Sequence, residues 1–289
     1  MTYNKLILYC SLLIGFLSLH NTLQAEWTQL GQTIVGEAKD DYSGNKVSIS
    51  SDGKIVAIGA LANDGNGEYS GQVRVYYLID SIWVPLGSDI DGEYEGDYSG
   101  SAICLSDDGK TLIIGAANNR GNDYDSLGNK VPYDFRAGHV RIYHFNNNDW
   151  VQLGEDIDGM GKDNYLGGSV AVSNDGLTVA ADANGDIKTL NSEGYVEIYK
   201  FYDTKWNQIS FIIGEAPQDY FGRSISLNSD GTIIAIAAER NDGNGINSGH
   251  VRIYSFINNI FINDILIVAR SGSVIPNITK VISYWNEDT

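Results

Sequence analysis

Cysteine is almost missing from this chain. It has 289 residues and two cysteines, Cys10 and Cys104. A disulfide framework is therefore excluded as the source of stability. Basic charge is scarce as well: 19 Lys and Arg stand against 37 Asp and Glu, for a net charge of −18. Nucleic acid is excluded as a partner, because phosphate binding needs clustered cations, and an anionic membrane surface is disfavoured for the same reason. Only four prolines occur against 33 glycines, a balance that suits many short turns. Beyond the first 25 residues no apolar run is long enough to span a bilayer. Helical periodicity is also missing from that part of the sequence. The apolar fraction is nevertheless 43%, enough for a sizeable core.

The first 25 residues stand apart. Lys5 precedes an apolar run from Leu6 to Leu19, and a short polar stretch ends at Leu23-Gln24-Ala25. This reads as a secretory signal peptide over residues 1–25, cut after Ala25. Its loss removes Lys5 and Cys10 and no acid, so the net charge moves from −18 to −19. Cys104 then remains alone in Ala102-Ile103-Cys104-Leu105, where a buried and inert thiol is expected. The sequon Asn277-Ile278-Thr279 matters only in a eukaryotic host.

An internal repeat organises the remainder. Trp27, Trp83, Trp150 and Trp206 open four similar segments, at spacings of 56, 67 and 56 residues. Each is followed by an aromatic–x–Gly step: Tyr42-Ser43-Gly44, Tyr98-Ser99-Gly100, Tyr165-Leu166-Gly167 and Tyr220-Phe221-Gly222. A polar turn ending in Asp-Gly comes next, at Asp52, Asp108, Asp175 and Asp230. An apolar run follows, and each unit ends on an alternating phrase such as Val73-Arg74-Val75-Tyr76. Ala60 to Gly71 is 11 residues and Ala116 to Gly138 is 22, so the longer second spacing is one 11-residue insertion in one loop.

Each unit reads as four strands. Val47 and Ile49 alternate with Ser48 and Ser50; Asp-Gly supplies the positive φ angles of a hairpin; the Ala- and Gly-rich run suits a strand squeezed between sheets. The expected fold is all-β, a β-propeller of four-stranded antiparallel blades. An open β-solenoid and a tandem of β-sandwiches are the alternatives. The expected domains are the signal peptide (1–25), repeats over 26–260 (about 27–82, 83–149, 150–205 and 206–260), and a divergent segment, 261–289, as a partial blade. Phe261 can stand in for the opening Trp there.

Tyr/Phe–small–Gly followed by Ile58-Gly59-Ala60 or Ile114-Gly115-Ala116 resembles the FG-GAP repeats of integrin α-chain heads and many secreted proteins. The likeness covers about residues 27 to 256, and is closer still to a microbial subgroup with Trp-x-x-Leu-Gly phrases. It implies an extracellular or cell-surface location. Two departures stand out: four units are clear where the family usually has about seven, and repeats three and four lose the Gly-Ala step. Four units leave these alternatives: a small ring, closure through the Trp27 strand, pairing with a second chain, or a truncated copy of a longer propeller.

The resemblance also implies calcium, held by Asp/Asn-rich loops. The family's full loop motif does not occur. Weaker relatives are Asp64 with Asn66, Asp242 with Asn244, and Asp182, Asn184 and Asp186 with Glu193. The last set matches EF-hand positions 1, 3, 5 and 12, with Ile187 where glycine is required. Turn chemistry explains the same residues. Arg120 falls at the position of Asp64 in the second repeat, so that unit should not bind. A second acidic set, Asp89, Asp91, Glu93, Glu95 and Asp97, is echoed by Asp156, Asp158 and Asp163. Paired carboxylates can hydrolyse glycosides, but residues duplicated between repeats point to structure. His139 and His250 sit at equivalent Gly-His-Val positions and read as part of the repeat. There is no Gly-x-Ser-x-Gly and no His-Glu-x-x-His.

The expectation is thus a secreted or surface module without enzymatic activity. It would bind an extracellular protein or a glycan through loops on one face and self-associate to complete a ring. The alternative is a calcium-stabilised protein that binds or cleaves glycans.

Overall fold

The computed structural model of the chain describes residues 27–120, 135–183, 185, 193–257 and 260–267. The signal segment lies outside them. Residues to Gln32 form a unit of their own, in which Trp27 is fully exposed.

From Thr33 onward the described residues contain strands and no helix. Four antiparallel sheets follow one another along the chain. The first holds β1 (Ser43–Ile49), β2 (Ile55–Ala60), β3 (Gln72–Ile79), β4 (Ile82–Pro85) and the short β5 (Ile90–Asp91). The second holds β6 (Ala102–Leu105), β7 (Thr111–Ala116), β8 (His139–Phe145), β9 (Trp150–Gln152) and β10 (Ile157–Asp158). The third holds β11 (Val170–Val172), β12 (Thr178–Ala183), β13 (Tyr195–Tyr202) and β14 (Lys205–Ile213). The fourth holds β15 (Phe221–Leu227), β16 (Ile233–Ala238), β17 (His250–Ile257) and β18 (Ile260–Ile267). Each sheet is a meander in sequence order, the up-and-down blade of a β-propeller.

The hairpin between the first two strands of each blade is built from its own side chains. Ser50 Oγ donates to Asp52 and accepts the Ile55 N–H, while Gly53 N–H closes on the Ser50 carbonyl. Ser106 with Asp108 and Ser173 with Asp175 repeat the arrangement; Asn228 takes the serine's place in the last blade. Only the glycine of each Asp-Gly pair adopts positive φ, at 71°, 68°, 71° and 69°. The aspartate serves as an acceptor, so the sequence expectation of positive φ from the dipeptide narrows to its second residue.

The Trp strand forms the outer edge of the sheet that began upstream. Trp83 lies in β4 beside β3, and Trp150 in β9 beside β8. Blades therefore run from one aromatic–Gly step to beyond the next Trp phrase. In the first two blades the Leu-Gly of Trp-x-x-Leu-Gly breaks the outer strand into two short pieces. In the third, Ser210 replaces that glycine and β14 continues as one strand with a register shift. β18 completes the fourth sheet, which places Phe261 in an outer strand.

The core lies between blades. Val73, Val75 and Ala57 of the first sheet meet Leu105, Leu112 and Ile114 of the second. Ile113, Val140 and Ile142 meet Val170, Val172 and Val179. Val196, Ile198 and Ala180 meet Phe221, Ile225 and Ile234. Burying each such side chain contributes about 1.5–3 kcal/mol, and neither face of a blade is covered without its neighbour. Contacts run from first sheet to second, second to third and third to fourth; among the described residues none of comparable extent joins the fourth back to the first.

The repeat motifs are the fittings of these junctions. Trp150 Nε1 donates to the Leu86 carbonyl of the previous blade at 2.8 Å, and Trp206 Nε1 to that of Leu153 at 2.6 Å. The glycine after each leucine, Gly87 or Gly154, has φ of 78° or 80°. A Cβ there would stand 2.8 or 2.7 Å from the incoming indole. Trp-x-x-Leu-Gly is thus a latch and its seat on successive blades. Likewise a Cβ on Gly59 would lie 2.4 Å from the Gly100 carbonyl oxygen, and one on Gly115 2.0 Å from that of Gly167. The Gly of Ile-Gly-Ala and the Gly of the aromatic step face each other across the junction. At the third junction Asp182 replaces the first of these glycines, buried with its carboxylate accepting the Ser169 N–H.

Candidate functional site

Charge inside the stack is organised around one arginine in each of three blades. Arg74 on β3 pairs with Glu37, Arg141 on β8 with Glu93, and Arg252 on β17 with Glu215. Each glutamate follows the Gly that ends the preceding outer segment. The third blade lacks both members: Met160 stands where the glutamate would, and Glu197 where the arginine would. Glu197 is buried, and burial pushes its carboxyl up although the Tyr199 hydroxyl donates to it at 2.9 Å.

The second blade elaborates this pair into a cluster. Arg141 also reaches Asp156, its Nε lying 3.1 Å from Oδ1, and Gln152 donates to the same carboxylate. His139, two residues before Arg141 on β8, places Nδ1 3.7 Å from Glu93 and 3.9 Å from Asp156. Its ring is buried, which pushes the imidazole down to about 4 despite the charge of Asp156. At neutral pH the imidazole is therefore uncharged. Close by, burial and the charge of Asp156 push the Asp158 carboxyl up.

Glu93, His139 and Asp156 bring three potential metal ligands within 4.8 Å of one another. A nitrogen and two carboxylates suit a transition metal better than calcium, which prefers all-oxygen shells. Arg141 already bonds both carboxylates, so a cation at that point has to displace the guanidinium. The same arginine–glutamate pairing recurs in two blades that lack the complete triad, which makes a structural ion-pair network its primary role.

The loops singled out for calcium fall elsewhere. Asp64 is exposed and accepts the Tyr69 N–H at 2.8 Å; Asp242 accepts the Asn247 N–H at 2.7 Å. Asn66 donates its side-chain amide to the Gly92 and Glu93 carbonyls, and the Asn244 N–H donates to Ser248. These bonds close the loop turns. Asp182 is committed to Ser169 in β12, and Glu193 precedes β13. Asn184 and Asp186 lie outside the described residues. Under these loops a buried pair recurs: Asn63 donates to Asp41, Asn119 to Asp97 and Asn241 to Asp219.

Two clefts open near these elements. The larger, about 360 Å³, is formed by the β2–β3 loop, the approach to β6 and the β7–β8 loop; Glu68, Tyr69, Glu95, Tyr98, Arg120 and Arg136 line it. Tyr69 and Tyr98 stack there, with centroids 5.5 Å apart and planes 6° from parallel. The smaller, about 220 Å³, lies between the second and third blades and borders the charged cluster through Asp156 and Asp158, with Tyr199 and Trp206 opposite. Cys104 is half-buried and free, and burial pushes its thiol up.

Sequence reasoning placed Glu93 and Asp156 in two parallel acidic sets and did not bring them together. It treated His139 as repeat filling. The shared feature that joins them is the Arg141 guanidinium, opposite in charge to both carboxylates and two residues from the histidine on one strand face.

Residues 214–254 match the FG-GAP repeat family. No curated protein matches the sequence. Among solved structures, the chain is similar to the periplasmic gluconolactonase of Pseudomonas aeruginosa, at 13% identity and a TM-score of 0.48, over 79% of this chain and 58% of that one. It is also similar to hydrazine synthase of Kuenenia stuttgartiensis, at 15% identity and a TM-score of 0.45, over 75% of this chain and 52% of that one. The chain spans just over half the length of either, and at such identities the likeness concerns the fold alone. It does correct one expectation. The gluconolactonase is an enzyme, so the lack of a familiar catalytic motif does not make this chain a non-enzyme, and that reading is withdrawn. Among the described residues no helix is long and apolar enough to cross a membrane.

Proposed function

We propose that this chain, an FG-GAP-like repeat protein with a β-propeller fold, is exported and recognises a glycan at the cleft between its first two blades. The stacked Tyr69–Tyr98 pair carries the reading. Tyr69 is 41% exposed, so an apolar aromatic surface is presented within a ring of hydrogen-bonding side chains, Glu68, Glu95, Asn118 and Arg136. That combination suits a sugar, whose C–H faces stack on aromatic rings while its hydroxyls both donate and accept. A net charge of −18 favours neutral or cationic glycans over sulfated or sialylated ones. Export rests on the N-terminal segment ending at Ala25.

A glycan array with the mature chain, repeated with Tyr69→Ala, tests the reading. Binding to a neutral or amino-sugar glycan, lost in the variant, supports it. An empty array, or binding that the variant retains, overturns it. Mass analysis of products on each bound glycan shows in the same samples whether recognition is accompanied by cleavage. A mature N-terminus at Glu26 in secreted material tests export.

A further inference from the structure

The stack repeats one junction three times, and its two ends carry the unused halves of that same junction. On the leading face of a blade, the aromatic-step glycine, the Asp-Gly glycine and two apolar residues of the first strand press on the previous blade. In the three later blades these apolar residues are buried or half-buried: Leu105 is 6% exposed, Val170 and Val172 9%, and Ile225 8%, with Ile103 and Leu227 half-buried. In the first blade their counterparts Val47 and Ile49 are 65% and 59% exposed. Gly109, Gly176 and Gly231 sit against Ile55, Thr111 and Thr178 of the blade before, whereas a Cβ on Gly44 or Gly53 of the first blade would meet nothing within 4 Å. The trailing face of the fourth blade shows the complementary half. Val73, Val140 and Val196 are fully covered by the next blade, but their counterpart Val251 is 38% exposed. Thr111 and Thr178 are covered, but Ile233 at the same position is 43% exposed.

The backbone repeats the pattern. Ser51 N–H donates to the Asp107 carbonyl of the second blade, and Asn174 N–H to the Ser229 carbonyl of the fourth. The next bond in the series needs the Ser229 N–H and a carbonyl at the position of Ser51.

We propose that a second copy of this chain fills both ends, head to tail, with the trailing face of each fourth blade seated on the leading face of the other copy's first blade. Continuity identifies the occupant: the required interface is already formed three times inside the chain, from residues at equivalent positions. The contact is heterologous, and such contacts close into rings when the rotation permits. Two chains of four blades each bring eight, within the range of about four to eight that propellers adopt. The strong net negative charge opposes the association, so salt should promote it.

Sedimentation velocity of the full mature chain across the micromolar range, at low and physiological salt, reads the outcome. A dimer that strengthens with salt is expected. Val47→Asp on the leading face and Val251→Asp on the trailing face should each raise the dissociation constant at least about tenfold, with the thermal melt of the monomer retained because both sites are exposed. Mixing the two variants leaves one intact junction per pair and should partly restore association, which a symmetric face-to-face dimer would not show. A chain that stays monomeric throughout overturns the proposal, as does a dimer indifferent to both substitutions. Open filaments would overturn the closed two-copy ring.

Discussion

Replacing Gly87 by alanine tests the latch that joins one blade to the next. The residue has φ of 78°, a conformation that costs an L-residue about 1–2 kcal/mol. Its new Cβ would stand 2.8 Å from Trp150 Cδ1 and 2.8 Å from an Asp149 carboxylate oxygen. Relieving such overpacking costs about 1–3 kcal/mol more. Gly87→Ala should therefore destabilise by roughly 2–5 kcal/mol. Trp150→Ala removes a buried indole and its bond to Leu86, for about 3–5 kcal/mol. With the indole gone, its share of the clash at Gly87 disappears, while the contact with the Asp149 carboxylate and the backbone penalty remain. The double variant should thus be more stable than the sum of singles predicts, by about 1–3 kcal/mol. Guanidinium unfolding followed by far-ultraviolet circular dichroism measures all four proteins without relying on the altered fluorophore. Additivity within about 0.5 kcal/mol would show that Gly87 and Trp150 do not meet as described, and the account of Trp-x-x-Leu-Gly would fail with it.

Three further outcomes are expected. His139 is held uncharged with its imidazole pushed down to about 4, so the unfolded chain binds the extra proton between pH 6.5 and 4; stability should fall by about 3 kcal/mol as pH drops through that window, and urea midpoints that do not depend on His139→Asn there would contradict it. Arg141→Gln leaves the charges of Glu93 and Asp156 facing His139, so its imidazole should titrate at higher pH in an NMR titration; an unmoved midpoint would remove Arg141 from the cluster's electrostatics. Gly115→Ala drives a Cβ to 2.0 Å from the Gly167 carbonyl oxygen and should cost about 3 kcal/mol or more, whereas Gly161→Ala, with no neighbour within 4 Å, should change stability by under about 0.5 kcal/mol; equal effects would refute the close approach.

Much of this architecture was legible because its determinants are local and repeated. The Ser-x-Asp-Gly hairpins, the alternating strands and the Trp, Leu and Gly of the latch occur in fixed order, so recurrence alone reveals a unit. Which sheet each Trp joins was less legible, since a strand carries no mark of its partner. The charged cluster was hidden for another reason. Glu93 and His139 are 46 residues apart in the chain, and nothing local to either specifies the other. A covarying exchange does mark it: the third unit loses glutamate to Met160 and arginine to Glu197 together. The loops named for calcium carry two readings at once, because turns and calcium sites draw on the same Asp, Asn and Gly.

The seats for the Trp150 and Trp206 indoles lie on the blade that precedes each in the chain. Assembly has a direction as a result: a newly formed blade already offers the receptor for the next one, while a later blade has nothing to grip until its predecessor exists. A polypeptide crossing a membrane N-terminus first can add its sheets in that order as they emerge. Traction on the C-terminus would reverse it, peeling the sheets off one at a time, and a force trace with discrete steps in place of one rupture would be the mechanical signature.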